Sequence, residues 1–215
     1  MRIKAAFLWL SVVVSVVVLG VSVPNAWAVF VDTEKVSSSW DGEHWLIMPL
    51  RIEDHRQYLQ AHQSSASYLY RVLGWGWPTL KISPEVNAEM VRFHAQQHDA
   101  RESFTYVVRA RGSREITGAI YVNPVNQERR HVPDFDANDY QAEVSMWFRQ
   151  TDEKHEFVEF LLPEILLWLE QEWNFRRVLI PVHEEYSFLT TQFAELDYRA
   201  FTFDGDTHEH LYRYP

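Results

Sequence analysis

Two stretches of this chain carry residue types dense enough for chemistry. "FRQTDEKHEF", residues 148–157, lies between an apolar run, "AEVSMWF", and a longer one, "VEFLLPEILLWLEQEW". A strand that enters a helix through such a corner presents unpaired backbone N–H groups and the positive end of the helix dipole, which together hold anions. Phosphate corners usually use glycine, for close backbone approach and unusual φ. This corner has none and carries Asp152, Glu153 and Glu156. A carboxylate about 6 Å from a phosphate charge costs about 2–3 kcal/mol per unit-charge pair at an effective dielectric near 20. Lys154 and His155 offset part of that. The plainer reading is an exposed helix start whose acids complement the dipole. The second stretch, "DGDTHEH", holds Asp204, Asp206, His208 and His210. Alternating histidines on a strand face one side and can share an ion. The spacing is no metal signature, a polar hairpin accounts for it, and no metal is expected. His131 with Asp134, Asp136 and Asp139, in a polar loop, is read the same way. The chain has no P-loop and no G-x-S-x-G.

Bulk properties narrow the field. "MRIK" is a basic start, "AAFLWLSVVVSVVVLGVSV" is apolar, and "PNAWA" ends in small residues at Ala26 and Ala28. This pattern predicts a secretory signal peptide cut after Ala28, and so a secreted or periplasmic protein. The alternative is an uncleaved membrane anchor over residues 5–23. The mature chain of 187 residues, 215 less 28, suits one domain with a sizeable core. Loss of Arg2 and Lys4 with the leader takes the formal charge from −10 to −12. So acidic a protein is a poor partner for nucleic acid or an anionic membrane. There are no cysteines, which excludes disulfides, a thiol nucleophile and a cysteine zinc site. The nine tryptophans read as core packing.

The elements that must position these residues follow from pattern. Residues 29–44 read as a polar leader and 45–215 as a single domain. "WLIMPL" (45–50) is a strand and "RIEDHRQYLQAHQSS" (51–65) a helix. "LGWGWPTL" (73–80) is a loop, with Trp75 and Trp77 either packed or at the lip of a groove. "SPEVNAEMVRFHAQQH" (83–98) is a helix capped by Ser83, with Pro84 at its first position and an apolar face of Val86, Met90, Val91 and Phe93. Strands at 104–110 and 116–124 form a hairpin. A polar loop (125–140) leads to a strand at 142–148. A long helix spans roughly 155–173, kinked at Pro163. A buried strand (176–182), a helix (184–196) and a hairpin of 198–203 with 209–215 complete the order β-α-α-β-β-β-α-β-α-β-β. That is an α+β, or mixed α/β, single domain.

This order and several local stretches resemble the GNAT acyltransferase superfamily. "FTYVVRARGSREITGAIYVNP" is similar to its central hairpin. "AEVSMWFRQ" is similar to the family's fourth strand in the ribosomal-protein-type N-acetyltransferases. "VLIPVHEEYSFLTTQFAELDYRAF" is similar to its fifth strand and fourth helix, the two together covering roughly 45–215 with the rest. The resemblance implies a mostly antiparallel sheet with a splayed fourth and fifth strand pair and flanking helices. It also implies acetyl-CoA as co-substrate in the V between those strands. The pantetheine arm would pair with the backbone of Met146, Trp147 and Phe148. The pyrophosphate would sit on an R/Q-x-x-G-x-G/A loop, here Glu153, Lys154, His155, Glu156, Phe157 and Val158, whose three pattern positions all depart from the family.

Other family positions depart as well. The asparagine before the fourth helix falls on Glu184 or Glu185, Ser187 matches, the tyrosine that protonates the CoA thiolate falls on Phe193, and a glycine falls on Asp197. The resemblance offers Glu143 as base, while Tyr186 and Ser187 are hydroxyl donors. Two expectations result. One is a GNAT-like N-acyltransferase acting on a small-molecule or peptide amine. The other is a secreted, non-catalytic GNAT-fold binding or interaction protein.

Overall fold

The computed structural model describes residue 36 and residues 39–73, 82–173 and 175–215. The expected signal segment, most of the leader, and the loop carrying Trp75 and Trp77 lie outside the described residues. Among the described residues no helix is long and apolar enough to cross a membrane.

One sheet of eight strands organises the chain, in the order β1-β2-β3-β4-β5-β6-β8-β7. β1 (Trp40–Asp41) and β2 (Trp45–Pro49) form the first edge, so pairing begins inside the stretch expected to be leader. β3 (Phe104–Ala110), β4 (Gly118–Asn123) and β5 (Ala142–Phe148) continue it as an antiparallel meander. β6 (Val178–His183) lies parallel to β5, and β8 (Glu209–Tyr214) separates it from β7 (Thr202–Asp204).

Both faces of the sheet are covered, which is why β3 is buried at every position instead of alternating. α1 (His55–Ser64) and α3 (Pro84–Asp99) lie on the face of Thr105 and Trp147. α4 (Leu161–Trp173) and α5 (Ser187–Glu195) lie on the face of Tyr106 and Tyr212. Gly118 marks the tightest strand contact: a Cβ there would run into the Trp147 carbonyl and lie 2.5 Å from Phe148 Cδ1.

Four local expectations are corrected. Residues 51–65 are not one helix: Ile52–Asp54 form a 3-10 turn before α1, and a separate α2 (Ala66–Leu73) follows it. The long helix starts at Leu161, not 155, because two 3-10 turns, Gln150–Lys154 and Val158–Phe160, take up the corner. Pro163 therefore sits in the first turn of α4, where a missing N–H removes no helical bond and causes no kink. α3 keeps its predicted cap, Ser83 Oγ accepting from Val86 N at 3.3 Å, but only the Met90 and Val91 half of its predicted face. Val86 and Phe93 are each 56% exposed, while Asn87 and Val91 are buried. The helix is anchored by polar bonds that a hydrophobic count overlooks: His62 Nε2 to Asn87 at 3.1 Å and Thr105 to His94 at 3.2 Å.

Candidate functional site: a splayed strand pair

β5 has two unlike edges. Towards β4 it is paired through six residues, from Gly118↔Phe148 to Asn123↔Glu143. Towards β6 it pairs only at Ala142↔Val178 and Glu143↔Leu179; beyond Glu143 the strands part. The resulting V places Met146, Trp147 and Phe148 along its β5 wall. All three are buried, and Trp147 turns its Nε1–H to the Tyr121 hydroxyl at 3.0 Å on the opposite face.

The V is filled. Tyr186, at the start of α5, is 1% exposed and its hydroxyl accepts from the Phe148 N–H at 3.0 Å. Burial first, and then the neighbouring Tyr68, push the Tyr186 phenol well above its usual range, so it stays protonated at neutral pH. The space left between the strands is about 10 Å³, the size of one water, and Met146, Val182, Leu189 and α2's Val72 and Leu73 border it. Ser187 is exposed at the first residue of α5 and serves as a helix start, its carbonyl accepting from Thr190 Oγ1 at 3.1 Å. Phe193, to which the resemblance assigned a tyrosine position, is core: it stacks on Tyr212 at 4.1 Å. Asp197, to which the resemblance assigned a glycine position, adopts φ 58°, the left-handed conformation that glycine favours and aspartate tolerates.

At the corner, several of the helix amides expected to be free are committed. His155 N donates to Asp152 O at 3.0 Å, Val158 N to His155 O at 3.0 Å and Phe160 N to Phe157 O at 3.1 Å. Phe157 N donates to His155 Nδ1 at 3.2 Å, and Leu161 N to Val158 O. The physical reason is the pair of 3-10 turns: each i→i+3 bond consumes an amide that a single long helix would have left open. The acids do not cap α4. Asp152 pairs with Arg149 at 2.5 Å, and Glu153 accepts from the Tyr68 hydroxyl. Burial raises the Glu153 carboxyl above its usual range, against the Tyr68 bond and Lys154. Lys154 and Glu156 are exposed. The corner's aromatics face β2: Trp45 Nε1 donates to Phe157 O at 3.1 Å, and His155 lies 5.1 Å from the Trp45 ring.

Glu143 is held by Arg130, whose side chain is wholly buried, at 2.7 Å, and the same guanidinium pairs with Glu209. Arg129 reaches Glu209 at 3.1 Å. The Glu143 contact, Arg130 Nη2 to Glu143 Oε1, is an ion pair without an aligned hydrogen bond, since Nη2 lacks a partner of good geometry. Burial would lower the Arg130 pKa, but Glu143 and Glu209 outweigh it and raise it. A carboxylate so occupied anchors the polar loop to the sheet. The paired histidines separate too. β8 begins at Glu209, so His208 is a turn residue with φ 56° that bonds Glu184 at 2.8 Å, while His210 packs beside Phe203. Asp204 accepts from the amides of His131 and Asp206, each at 3.1 Å, and Asp136 from that of Asn138 at 2.9 Å. Among the described residues no group of three or more His, Asp or Glu could hold a metal ion.

The pattern reading missed Tyr68, Arg130 and Glu209. "ASYLYRVL" carried the signal for the first, an amphipathic run with Leu69, Val72 and Leu73 on its buried side. The adjacent arginines of "QERRH" pointed to a charged anchor, but not to its partner 79 residues away.

No protein-family model matches the chain, and no curated protein matches it. Solved structures do. The ribosomal-protein-S5-alanine acetyltransferase of Vibrio fischeri superposes with a TM-score of 0.57 at 12% identity, covering 82% of this chain and 96% of that one. A GnaT-family acetyltransferase of Bordetella pertussis gives 0.58 at 12% identity, covering 83% and 100%. RimL, a ribosomal L7/L12 alpha-N-protein acetyltransferase in complex with coenzyme A, gives 0.58 at 11% identity, covering 84% and 97%. The chain has the α+β fold of the GNAT acetyltransferases.

Proposed function

We propose that the chain is an N-acyltransferase of GNAT type, transferring an acyl group from acetyl-CoA to an amine. The observation that carries this is the parting of β5 from β6 after Glu143, which leaves a backbone-walled V at the end of a fully paired strand. In such a site the amine attacks the thioester carbonyl, the C–N bond forms and the C–S bond breaks, and the proton lost by the amine nitrogen passes through solvent and ends on the departing thiolate. Positioning supplies most of the rate. Met146, Trp147 and Phe148 are the backbone that would line up the donor. Tyr186, kept protonated by burial, would donate to the departing thiolate. Glu143 supports its loop through Arg130 in place of serving as base. The acceptor is a small-molecule or peptide amine. The N-terminal pattern favours export, with cleavage after Ala28.

A second reading has its own observation. The committed amides of the corner and the filled V favour a GNAT-fold binding or interaction protein that uses no CoA. Calorimetric titration with acetyl-CoA separates them. Binding that weakens with salt, as a pyrophosphate contact requires, supports acyl transfer. No heat at millimolar ligand overturns it.

A further inference from the structure

We propose that α2 and Tyr186 form an autoinhibitory latch: they close the β5–β6 cleft in the unliganded chain, and the acyl donor enters only after Tyr186 leaves the Phe148 N–H. This rests on the acyl-transfer reading of the cleft.

α2 has eight residues, too few to hold a helix in water by itself, so its place is fixed by what it touches. It touches each side of the cleft mouth. At the corner, Ser65, the residue before α2, accepts from Gln150 N at 3.1 Å, and the Tyr68 hydroxyl donates to Glu153. Towards α5, Arg71 lies 3.5 Å from Glu185 in an exposed pair that contributes little. On the inner side, Val72 and Leu73 are buried at the remaining cavity. The polar fastenings are at the rim and the apolar contacts inside, which is how a segment is held shut yet remains able to part.

Tyr186 is the bolt. Its ring meets the edge of the Tyr68 ring at 6.0 Å and 82°, so Tyr68 is the wall that keeps it in place. Its hydroxyl takes the one β5 amide that an entering carbonyl oxygen would need at that end of the strand. A donor arriving there exchanges one acceptor for another. The cost of opening is therefore the release of α2, not the loss of the Phe148 bond. The sequence has no cysteine and α2 holds no glycine or proline, so the latch is a packed helix turn and not a flexible flap.

Hydrogen exchange by mass spectrometry on the full chain tests this. In Tyr68→Phe, exchange of the peptide spanning Ala66–Leu73 and of the peptide carrying Phe148 should rise together, by roughly five-fold for one hydrogen bond lost. β3 peptides should not change. Ser65→Ala should do the same with a smaller step, and the double variant should exceed either. If α2 accelerates while the Phe148 peptide stays at its original rate, or if β3 accelerates equally, the latch is overturned. Titration with acetyl-CoA then separates this from the reading beneath it. Coupled exchange with a several-fold tighter acetyl-CoA affinity in Tyr68→Phe supports both. Coupled exchange with no acetyl-CoA binding by any variant removes the acyl-transfer reading and with it the donor's entry, while the α2–Tyr186 closure itself is upheld; coupled exchange with unchanged acetyl-CoA affinity in Tyr68→Phe overturns the autoinhibition.

Discussion

The two edges of β5 are built on different principles. The β4 edge is a backbone ladder of six residue pairs, sealed by Gly118 under the Trp147 carbonyl. The β6 edge pairs at two residues and is then completed by side chains: Arg130 between Glu143 and Glu209 at its foot, the Tyr186 hydroxyl at its tip. A ladder is satisfied wherever the chain stays extended. A side-chain edge depends on particular residues from distant segments, and each can be removed by one substitution. The difference teaches where this fold is fixed and where it can open.

The comparison breaks most severely at the foot of the open edge. Arg130→Met strands Glu143 and leaves Glu209 with Arg129 alone, and about 3–5 kcal/mol of stability should be lost by chemical denaturation. Adding Glu143→Gln and Glu209→Gln should restore most of it, since the penalty comes from unpaired charge. If Arg130→Met costs under about 1 kcal/mol, the cluster does not hold that edge. The ladder edge should fail next. Gly118→Val forces a side chain into the Trp147 carbonyl, and about 3 kcal/mol should go, at the upper end of overpacking costs. The tip should be mildest of the three. Tyr186→Phe leaves the Phe148 N–H without its acceptor, a loss of about 1–2 kcal/mol in the same assay.

The same contrast explains what was legible in the sequence. The bounds of β5, Ala142–Phe148, are legible because a short, largely apolar run ending in Trp147 and Phe148 is a local property. So is the cap at Ser83, which needs only its own first turn. What failed was non-local. No spacing rule joins Tyr186 to the Phe148 amide across 38 residues, or Arg130 to Glu209 across 79. The helix start was misplaced by six residues because "HEFVEF" is apolar at helical spacing, yet 3-10 turns won there, with Trp45 taking the Phe157 carbonyl. The predicted apolar face of α3 holds at Val91 and Met90 but not at Val86 and Phe93, which face out, because Asn87 and the histidines take the remaining inward positions.

That polar helix layer, which covers the ladder side of the sheet, yields the prediction with the smallest effect at neutral pH and a distinct signature in acid. Burial lowers the pKa of His62, His94 and His98 below the ordinary histidine value. The opposing influences are weaker: the Asn87 bond on His62, and Asp99 and the Thr105 carbonyl on His98, where Arg51 adds to the lowering. His94 faces Thr105 and the Tyr121 ring, with no charged partner at that bond. A folded-state pKa below the unfolded one means that the unfolded chain binds more protons as pH falls. The stability from these three groups is complete above the unfolded value, about 6.5. It is lost as pH falls through the depressed folded values. Melting temperatures measured from pH 8 to pH 5 should therefore hold level above about 7 and decline below about 6.5. Replacing His62 by Gln, which keeps a donor for Asn87, should flatten part of that decline while leaving the Arg130 and Tyr186 effects unchanged. A decline of equal steepness in His62→Gln would show that His62 contributes none of the acid sensitivity.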